Sequence, residues 1–522
     1  VSAEPEPQPA QEGEAEQTAT AGQEAEADQH RGAASLAAGS YVDTDGTVRN
    51  FDAEYERQAQ TPEPHHLRTW TQTGIGLTAL SLGYWLGMDR QVADWDNPRP
   101  QQRFDGTAWR TDNNALAVNY ILHPLGGGAA YSFARANHHG VAMSAAYGFI
   151  GSFLWEFVLE FKEKVSVNDI FVTPGTGIPI GEFMYKLGAY LDTAQQPGTG
   201  TQVAQWTLGT GVRVDRALDG RGPTPARTRD SLGLTSEIWH DFEFDFDFHM
   251  VQGVAPAEYA RYTAGFSGLL VSLPGYLRPG RFGRAFWRAD LASMEIWGEG
   301  SGHGAGVGMA SDALLAGYHA QSIDGFFSPR AGQAITTGVS MAWSYLESTA
   351  NQVSEKFSGF HLPGPGLDWH VLGKDVRLSL SARAHPDYVG AGVLGAYPDW
   401  LAAHRGERGK HVLRIQGYYY GWGGSGQLSG RLELGPLQLR GGLFYGRYRS
   451  EEGNNRWQER ITIDTPCGTQ LLQYHGDLQL RPPGSPVAFG VGASVRDWKI
   501  WVGEIRRSAH VLSRGFQVSA RF

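Results

Sequence analysis

Five ionisable side chains stand among apolar neighbours. His123, Glu156, Glu160, Asp169 and Glu182 all fall within residues 112–188, a stretch rich in small and apolar residues and thinly charged. A histidine grouped with carboxylates can hold a divalent metal or work as an acid–base pair. Ionisable groups inside apolar helices also raise the odds of function. The competing reading is structural. His123 precedes Pro124, where an imidazole can bond a carbonyl freed by the proline. Asp169 suits the first turn of a helix, where negative charge is favoured, and Glu182 can pair with Arg135 or Lys186. Structural packing is the first expectation, then catalysis, then metal. The five are candidates only, and no metal or cofactor is assigned, since no H-E-x-x-H spacing occurs. Ser132, Ser144 and Ser152, with His138 and His139, offer a nucleophile in principle, but none sits in a G-x-S-x-G elbow. Ser301 and His303 lie in GEGSGHGAG, which reads as a strand-end turn.

The elements that must position these groups read as helices. One runs from about 113 to 137, with Asn119 and His123 on one face and a kink expected at Pro124 that frees a carbonyl near residue 120. Gly126, Gly127 and Gly128 each cost about 1 kcal/mol of helix stability relative to alanine, which makes sense if another backbone comes close. A second helix runs from about 141 to 163, small at its start and aromatic at its end. Ser166 or Asn168 caps a third, which Thr173-Pro174-Gly175-Thr176-Gly177 is expected to break; Gly181-Glu182 opens another to about 191. Residues 203–220 read as a last helix. Residues 40–111 form a connecting region whose 67–88 is helical. Its most apolar window, 74–88, is short and glycine-broken, and reads as a buried or interfacial helix.

From about 230 the pattern changes period. In 241–250 the even positions are Phe242, Phe244, Phe246, Phe248 and Met250, while Asp241, Glu243, Asp245 and Asp247 are among the odd ones. Strict alternation is the strand period, with the phenylalanines expected in lipid and the acids in a hydrated lumen. Alternating segments recur at 376–381, 428–434, 437–440 and 477–481, with turns at Gly435-Pro436 and Pro482-Pro483-Gly484. Tyr418, Tyr419, Tyr420 and Trp422 read as an aromatic belt. The chain stops on Phe516-Gln517-Val518-Ser519-Ala520-Arg521-Phe522, with Phe516, Val518 and Phe522 in alternation, which resembles the C-terminal assembly signal of Gram-negative outer-membrane proteins.

Composition agrees with many strands and tight turns. The 522 residues include 70 glycines, 12% aromatics and only 19% charged residues, which excludes a coiled coil or a cytosolic helical enzyme. A single cysteine, Cys467, allows no internal disulfide and suits an oxidising compartment. Residues 1–39 form an acidic, disordered tail that carries most of the net charge of −10 and reads as a spacer or an arm for an envelope partner. The chain opens on Val1 without a signal segment, so a cleaved leader is expected.

Residues 112–190 resemble a bacterial domain-of-unknown-function family numbered 3943. The matching pieces are Asn119-Tyr120-Ile121-Leu122-His123-Pro124-Leu125, Phe153 to Glu156, Asn168-Asp169, and Thr173-Pro174 followed by Gly181-Glu182. The resemblance implies a bacterial envelope protein and supplies no activity. The expected fold is an α+β membrane protein. A helical domain over 112–220, a hairpin of small-residue helices, packs in or under an antiparallel transmembrane β-barrel of about twelve strands over 230–522. The expected function is a barrel plugged or gated by its helices, non-enzymatic, serving passage or anchoring. The alternatives are a membrane-embedded lipid-modifying enzyme using His123 with Glu156 or Glu160, and a scaffold of an envelope complex. The expected place is the outer membrane, with the tail periplasmic. The expected partner is outer-membrane lipid, and no nucleic acid is expected.

Overall fold

The computed structural model describes residues 37–60, 62–87, 97–253, 258–324, 331–350, 353–452 and 461–522. The acidic arm expected at 1–39 lies, but for its last three residues, outside that set. A small hairpin, β1 (Ser40–Val42) and β2 (Val48–Asn50), leads into α1 (Phe51–Ala59), where the Asn50 side chain accepts from Ala53 N. There follow α2 (His66–Gly87), α3 (Pro100–Phe104) and β3 (Trp109–Arg110). A π-helical turn (Val118–Leu122) runs straight into α4 (His123–Ala136). Next, α5 (Val141–Leu154) runs straight into a second π-helical turn (Trp155–Leu159). β4 (Val165–Ser166) pairs with β3 and opens α6 (Val167–Leu191), and α7 (Thr199–Thr207) and α8 (Thr210–Asp219) close the helical region.

Packing corrects two helix expectations. The 173–177 stretch does not break α6, which carries Pro174 and Pro179 inside one continuous helix. Its glycines lie against those of α4: a Cβ on Gly177 would stand 2.7 Å from Gly128 N, and one on Gly128 would meet Ile180. This close approach outweighs the local cost of proline and glycine. By contrast, the helix expected over 203–220 is two, parted at Leu208-Gly209. A Cβ on Gly209 would stand 2.7 Å from Gly188 Cα, so the turn is pressed against α6.

The strands are β5 (Trp239–Gln252), β6 (Tyr259–Val271), β7 (Gly280–Phe286), β8 (Leu291–Ser301), β9 (Gly304–Asp324) and β10 (Ala331–Ala350). There follow β11 (Val353–Leu372), β12 (Val376–Gly392), then α9 (Ala396–Ala403) and α10 (His411–Gln416), β13 (Tyr418–Leu434) and β14 (Leu437–Ser450). The last are β15 (Cys467–Leu480), β16 (Val487–Val502) and β17 (Ile505–Arg521). Twelve of them, β5, β6 and β8 to β17, pair antiparallel in sequence, and β17 returns to β5 to close a barrel of outer-membrane type. β7 is not a separate stave. It pairs with β9 at Gly317–Ile323, beyond the β8 ladder at Gly304–Leu314, so β7 and β8 lie end to end along β9. The chain ends where the turns are tight, as at Gly435 and Gly484, both at positive φ. The long insertion 393–417 and the described residues 451–452 and 461–466 lie at the opposite end.

Cross-barrel ion pairs fix which face is inward. Arg431 and Arg440 bind Glu243 at 2.5 and 2.7 Å, although β13 and β14 lie across the barrel from β5. Arg521 and Arg431 both bind Asp241, and Arg440 reaches Asp245 at 3.3 Å. Such contacts can form only through the lumen. Alternate residues therefore face out, among them Phe244, Phe246, Leu439, Phe489, Val491 and Phe516, all exposed.

The same sidedness corrects the expected plug: the helical domain lies against the outer wall. Phe242 faces out and packs on Tyr190 of α6 with ring centroids 5.9 Å apart. Gly268, its cross-strand partner, has Phe183 over it. Gly175 sits on the outward Phe360, and Leu116 and Tyr120 sit on the outward Gly390. Tyr418 and Tyr420, expected in a belt, are outward but wholly buried beneath these helices. Tyr419 turns to the lumen face, leaving only Trp422 of the four exposed. Helix α6 starts beside Tyr420, near the long-loop end, and finishes beside Phe242, near the short-turn end. Its 25 residues span about 37 Å, the height of the wall.

The lumen is packed by the chain's own loops. At the short-turn end Tyr276, 1% exposed, stacks edge-on to Trp239 and bonds His370 Nε2 at 3.0 Å. At the long-loop end Tyr397 and Trp400 of α9 join a buried cluster with Trp498, Tyr448, Tyr419 and Phe357.

Candidate functional site

Three of the five candidates meet. One ligand atom each from His123, Glu156 and Asp169 lies within 4.8 Å of the others. The three come from different helices, and the two π-helical turns adjoin two of them: His123 follows the first and Glu156 lies within the second. A π-turn re-aims the side chains at its borders, and such turns are frequent at functional sites. The carbonyl freed near residue 120 is also taken: Trp343 Nε1, from the barrel, donates to Tyr120 O at 3.0 Å. The barrel wall thus fixes the turn that aims His123.

A shell of hydrogen bonds orients the carboxylates. Asn168 Nδ2 donates to Asp169 Oδ1 at 2.8 Å, and Asn168 Oδ1 accepts from Asp112 N at 2.7 Å. Ser166 N donates to Glu156 Oε2 at 3.3 Å. Ser152, considered above as a nucleophile, spends its hydroxyl on Asp169 O at 2.8 Å. Asn119 donates to Tyr420 OH at 2.6 Å and Tyr418 OH at 3.2 Å, tying the shell to the barrel. Arg103, 5% exposed, holds the end of the second π-turn through Glu156 O at 2.5 Å and Phe157 O at 2.9 Å. Its partners are backbone carbonyls of a non-α turn, so nothing in the sequence marked it. Of the two expected caps, Ser166 stands at the N-cap of α6, while Asn168 orients Asp169.

The geometry favours chelation over a nucleophilic relay. Both Thr173 Oγ1, at 3.1 Å, and Asp169 Oδ1, at 3.9 Å, approach His123 at Nδ1. A relay needs nucleophile and carboxylate on opposite ring nitrogens. One imidazole and two carboxylates within 4.8 Å are instead a donor set for a divalent transition metal. Asp169 and Glu156 are buried, and the His123 side chain keeps 17% of its surface open. Leu122, next to His123, and Phe171, two residues after Asp169, are exposed at 59% and 56%. The site therefore opens on an apolar surface.

The remaining candidates lie elsewhere. Glu160 accepts from Trp155 Nε1 at 2.8 Å and is outside the cluster. Glu182, fully buried, is held by Arg135 Nε and Tyr131 OH, both at 2.8 Å, and by Lys186 Nζ at 3.3 Å, which makes it a structural ion cluster. His138 and His139 cap the α4–α5 turn beside His65 and His66. Ser301 bonds Gly304 O in the β8–β9 turn. Asp241, Glu243 and Asp245 sit in the lumen ion network, Asp247 lies on the same face of β5, and Phe242 to Phe248 alternate outward. Phe522 pairs backbone to backbone with Phe242 where β17 meets β5, with Phe516 and Val518 outward on the same strand.

No curated protein matches the chain. Solved structures similar to it include the β domain of the Bordetella autotransporter Brka, at 12% identity over 54% of this chain and 99% of that one, TM-score 0.21. Others are the outer membrane channel DcaP of Acinetobacter baumannii, at 10% identity over 57% and 100%, TM-score 0.22, and OmpT of Vibrio cholerae, at 5% identity over 55% and 97%, TM-score 0.20. Residues 108–210, which carry His123, Glu156 and Asp169, match the family described as domain of unknown function DUF3943.

Proposed function

We propose that this protein is a lipid-modifying enzyme of the bacterial outer membrane, with a divalent-metal centre at His123, Glu156 and Asp169 on the lipid side of its barrel. The observation that carries this reading is the convergence of those three side chains on the outer wall, beneath an apolar surface. The helices have the dimensions for such a place. Val141–Leu159 is long and apolar enough to cross a membrane, α2 has 22 residues and α6 has 25. Their free faces are apolar, with Leu67, Ile75, Leu80, Met143, Ile150 and Phe153 exposed. Helices of this kind beside a barrel form a second membrane-crossing unit. The packed lumen weighs against passage as the main role.

A divalent ion held there would polarise a carbonyl or phosphoryl oxygen of a lipid. The Asn168 side chain and the Ser166 backbone N–H hold the two carboxylates in place. Short turns mark the periplasmic end of such barrels and long loops the other, so the site lies toward the outer leaflet.

The test compares the full chain with His123→Ala and Asp169→Asn, at equal amounts of folded barrel judged by heat-modifiable gel migration. Envelope lipids are profiled by mass spectrometry, and metal content is measured on detergent-purified protein. The expected result is about one equivalent of divalent metal and a lipid change in wild type, with both lost in the variants. Identical lipid profiles for wild type and both variants would defeat the enzymatic reading.

A further inference from the structure

A second site lies on the bare side of the barrel. The helices cover outward faces from β5 through β13, whereas among the described residues none covers the outward face of β14 to β17. On β14 the outward positions from Leu437 to Tyr445 are Leu437, Leu439, Gly441, Leu443 and Tyr445. They rise about 26 Å along the strand, or about 20 Å once tilt is allowed for. The next two outward residues are Arg447 and Arg449. β16 does the same, passing from Phe489 and Val491 to Lys499 and Trp501. On β14 the change from apolar to cationic is direct; on β16 it passes through Asp497, which pairs with His510 of β17 one row below Lys499, and Arg514 of β17 pairs with Glu258.

Strand register arranges these groups in two rows. Arg447, Gln470, Lys499 and Ser508 are consecutive cross-strand partners, as are Arg449, Gly468, Trp501 and Arg506. Gly468 is bare because the Trp501 ring lies over it. Over these rows lies a groove of about 810 Å³, whose lining also includes Glu452, Pro466 and Cys467. Arg447, Arg449, Lys499 and Arg506 are exposed, and none has an ion pair among the described residues. Glu452 is the one acid that lines the groove, so the four cations leave it with a net positive charge that favours an anion. Two guanidinium groups on adjacent rows suit the several oxygens of a phosphate.

We propose that this groove binds the phosphate groups of a phosphorylated glycolipid in the leaflet at the long-loop end, whose acyl chains lie on the apolar face of β14 to β17. Trp501 supplies a flat surface for the sugar, and the cations take the phosphates.

The test uses the full-length protein in dodecyl maltoside. It is titrated with a fluorescent bisphosphorylated, acylated disaccharide, with the same glycolipid after phosphatase treatment, and with inorganic pyrophosphate as competitor. Binding should weaken with salt and fall roughly fivefold per cation removed, hence about 25-fold in Arg449→Gln/Lys499→Gln. The control Arg281→Gln, an exposed cation at the opposite end, should bind as wild type. Equal binding of the dephosphorylated lipid, or an unchanged double variant, overturns the proposal. Pyrophosphate binding as tightly as the glycolipid overturns the lipid assignment in favour of a soluble phosphate.

Discussion

Alanine at two glycines should act with opposite sign. Gly126 lies on α4 with open space where its Cβ would go. Gly126→Ala therefore gains helix propensity at no steric cost, up to about 1 kcal/mol. Gly177 lies on α6 against the α4 backbone, where a Cβ would stand 2.7 Å from Gly128 N and 2.9 Å from Gly127 Cα. Ordinary contact needs about a further ångström, and backbone cannot rotate away as a side chain can. Gly177→Ala must push α4 from α6, at a cost of about 3 kcal/mol. The two variants should then differ by about 4 kcal/mol for the same added methyl. The shift also falls on the site, since His123 is on α4 and Asp169 on α6. Ligand atoms that now meet within 4.8 Å would separate, and metal affinity should drop at least tenfold in Gly177→Ala only. The assay is denaturant unfolding of the detergent-solubilised chain, followed by far-ultraviolet circular dichroism at the helical band, with metal titration by calorimetry. Equal stability and equal affinity in the two variants would refute the packing account.

Three further outcomes follow from buried polar groups. Glu182→Gln leaves Arg135 and Lys186 without their carboxylate and should destabilise the helical domain by about 3–5 kcal/mol in the same unfolding assay. Trp343→Phe removes the donor to Tyr120 O and should cost about 1–3 kcal/mol, read as faster protease cleavage of the helical domain while the barrel keeps its gel migration. At the α4–α5 turn, burial first and then the neighbouring histidines push His139 down to about 4, and burial lowers His138 as well. The folded state therefore binds fewer protons than the unfolded chain, so this turn contributes full stability above the ordinary histidine value and loses it as pH falls from about 6.5 toward 4. His139→Gln should flatten that part of the stability–pH curve.

Much of the architecture is written in local pattern. The Asp–Phe alternation over 241–250 determines a strand with one wet and one apolar face, because successive side chains on a strand point to opposite sides. Repeated around the chain, it determines a closed barrel, since no open sheet edge survives in lipid. The glycine run at 126–128 marks a close helix contact, and Pro124 marks a free carbonyl, for reasons of covalent geometry that hold wherever the helix sits.

Position belongs to the tertiary structure. An apolar helix face is the same sequence whether it packs inside a barrel, beneath it or on its outer wall; only Phe242, Phe360 and Gly390, outward-facing and covered, decide for the wall. Continuity of α6 through Pro174 and Pro179 likewise depends on α4 lying against it. The meeting of His123, Glu156 and Asp169 depends on two π-turns, whose exposed carbonyls Trp343 and Arg103 take. Alternation and glycine spacing are properties of a segment, legible in its own residues. The site is a property of three segments at once, and its geometry is set by contacts between residues more than 200 positions apart.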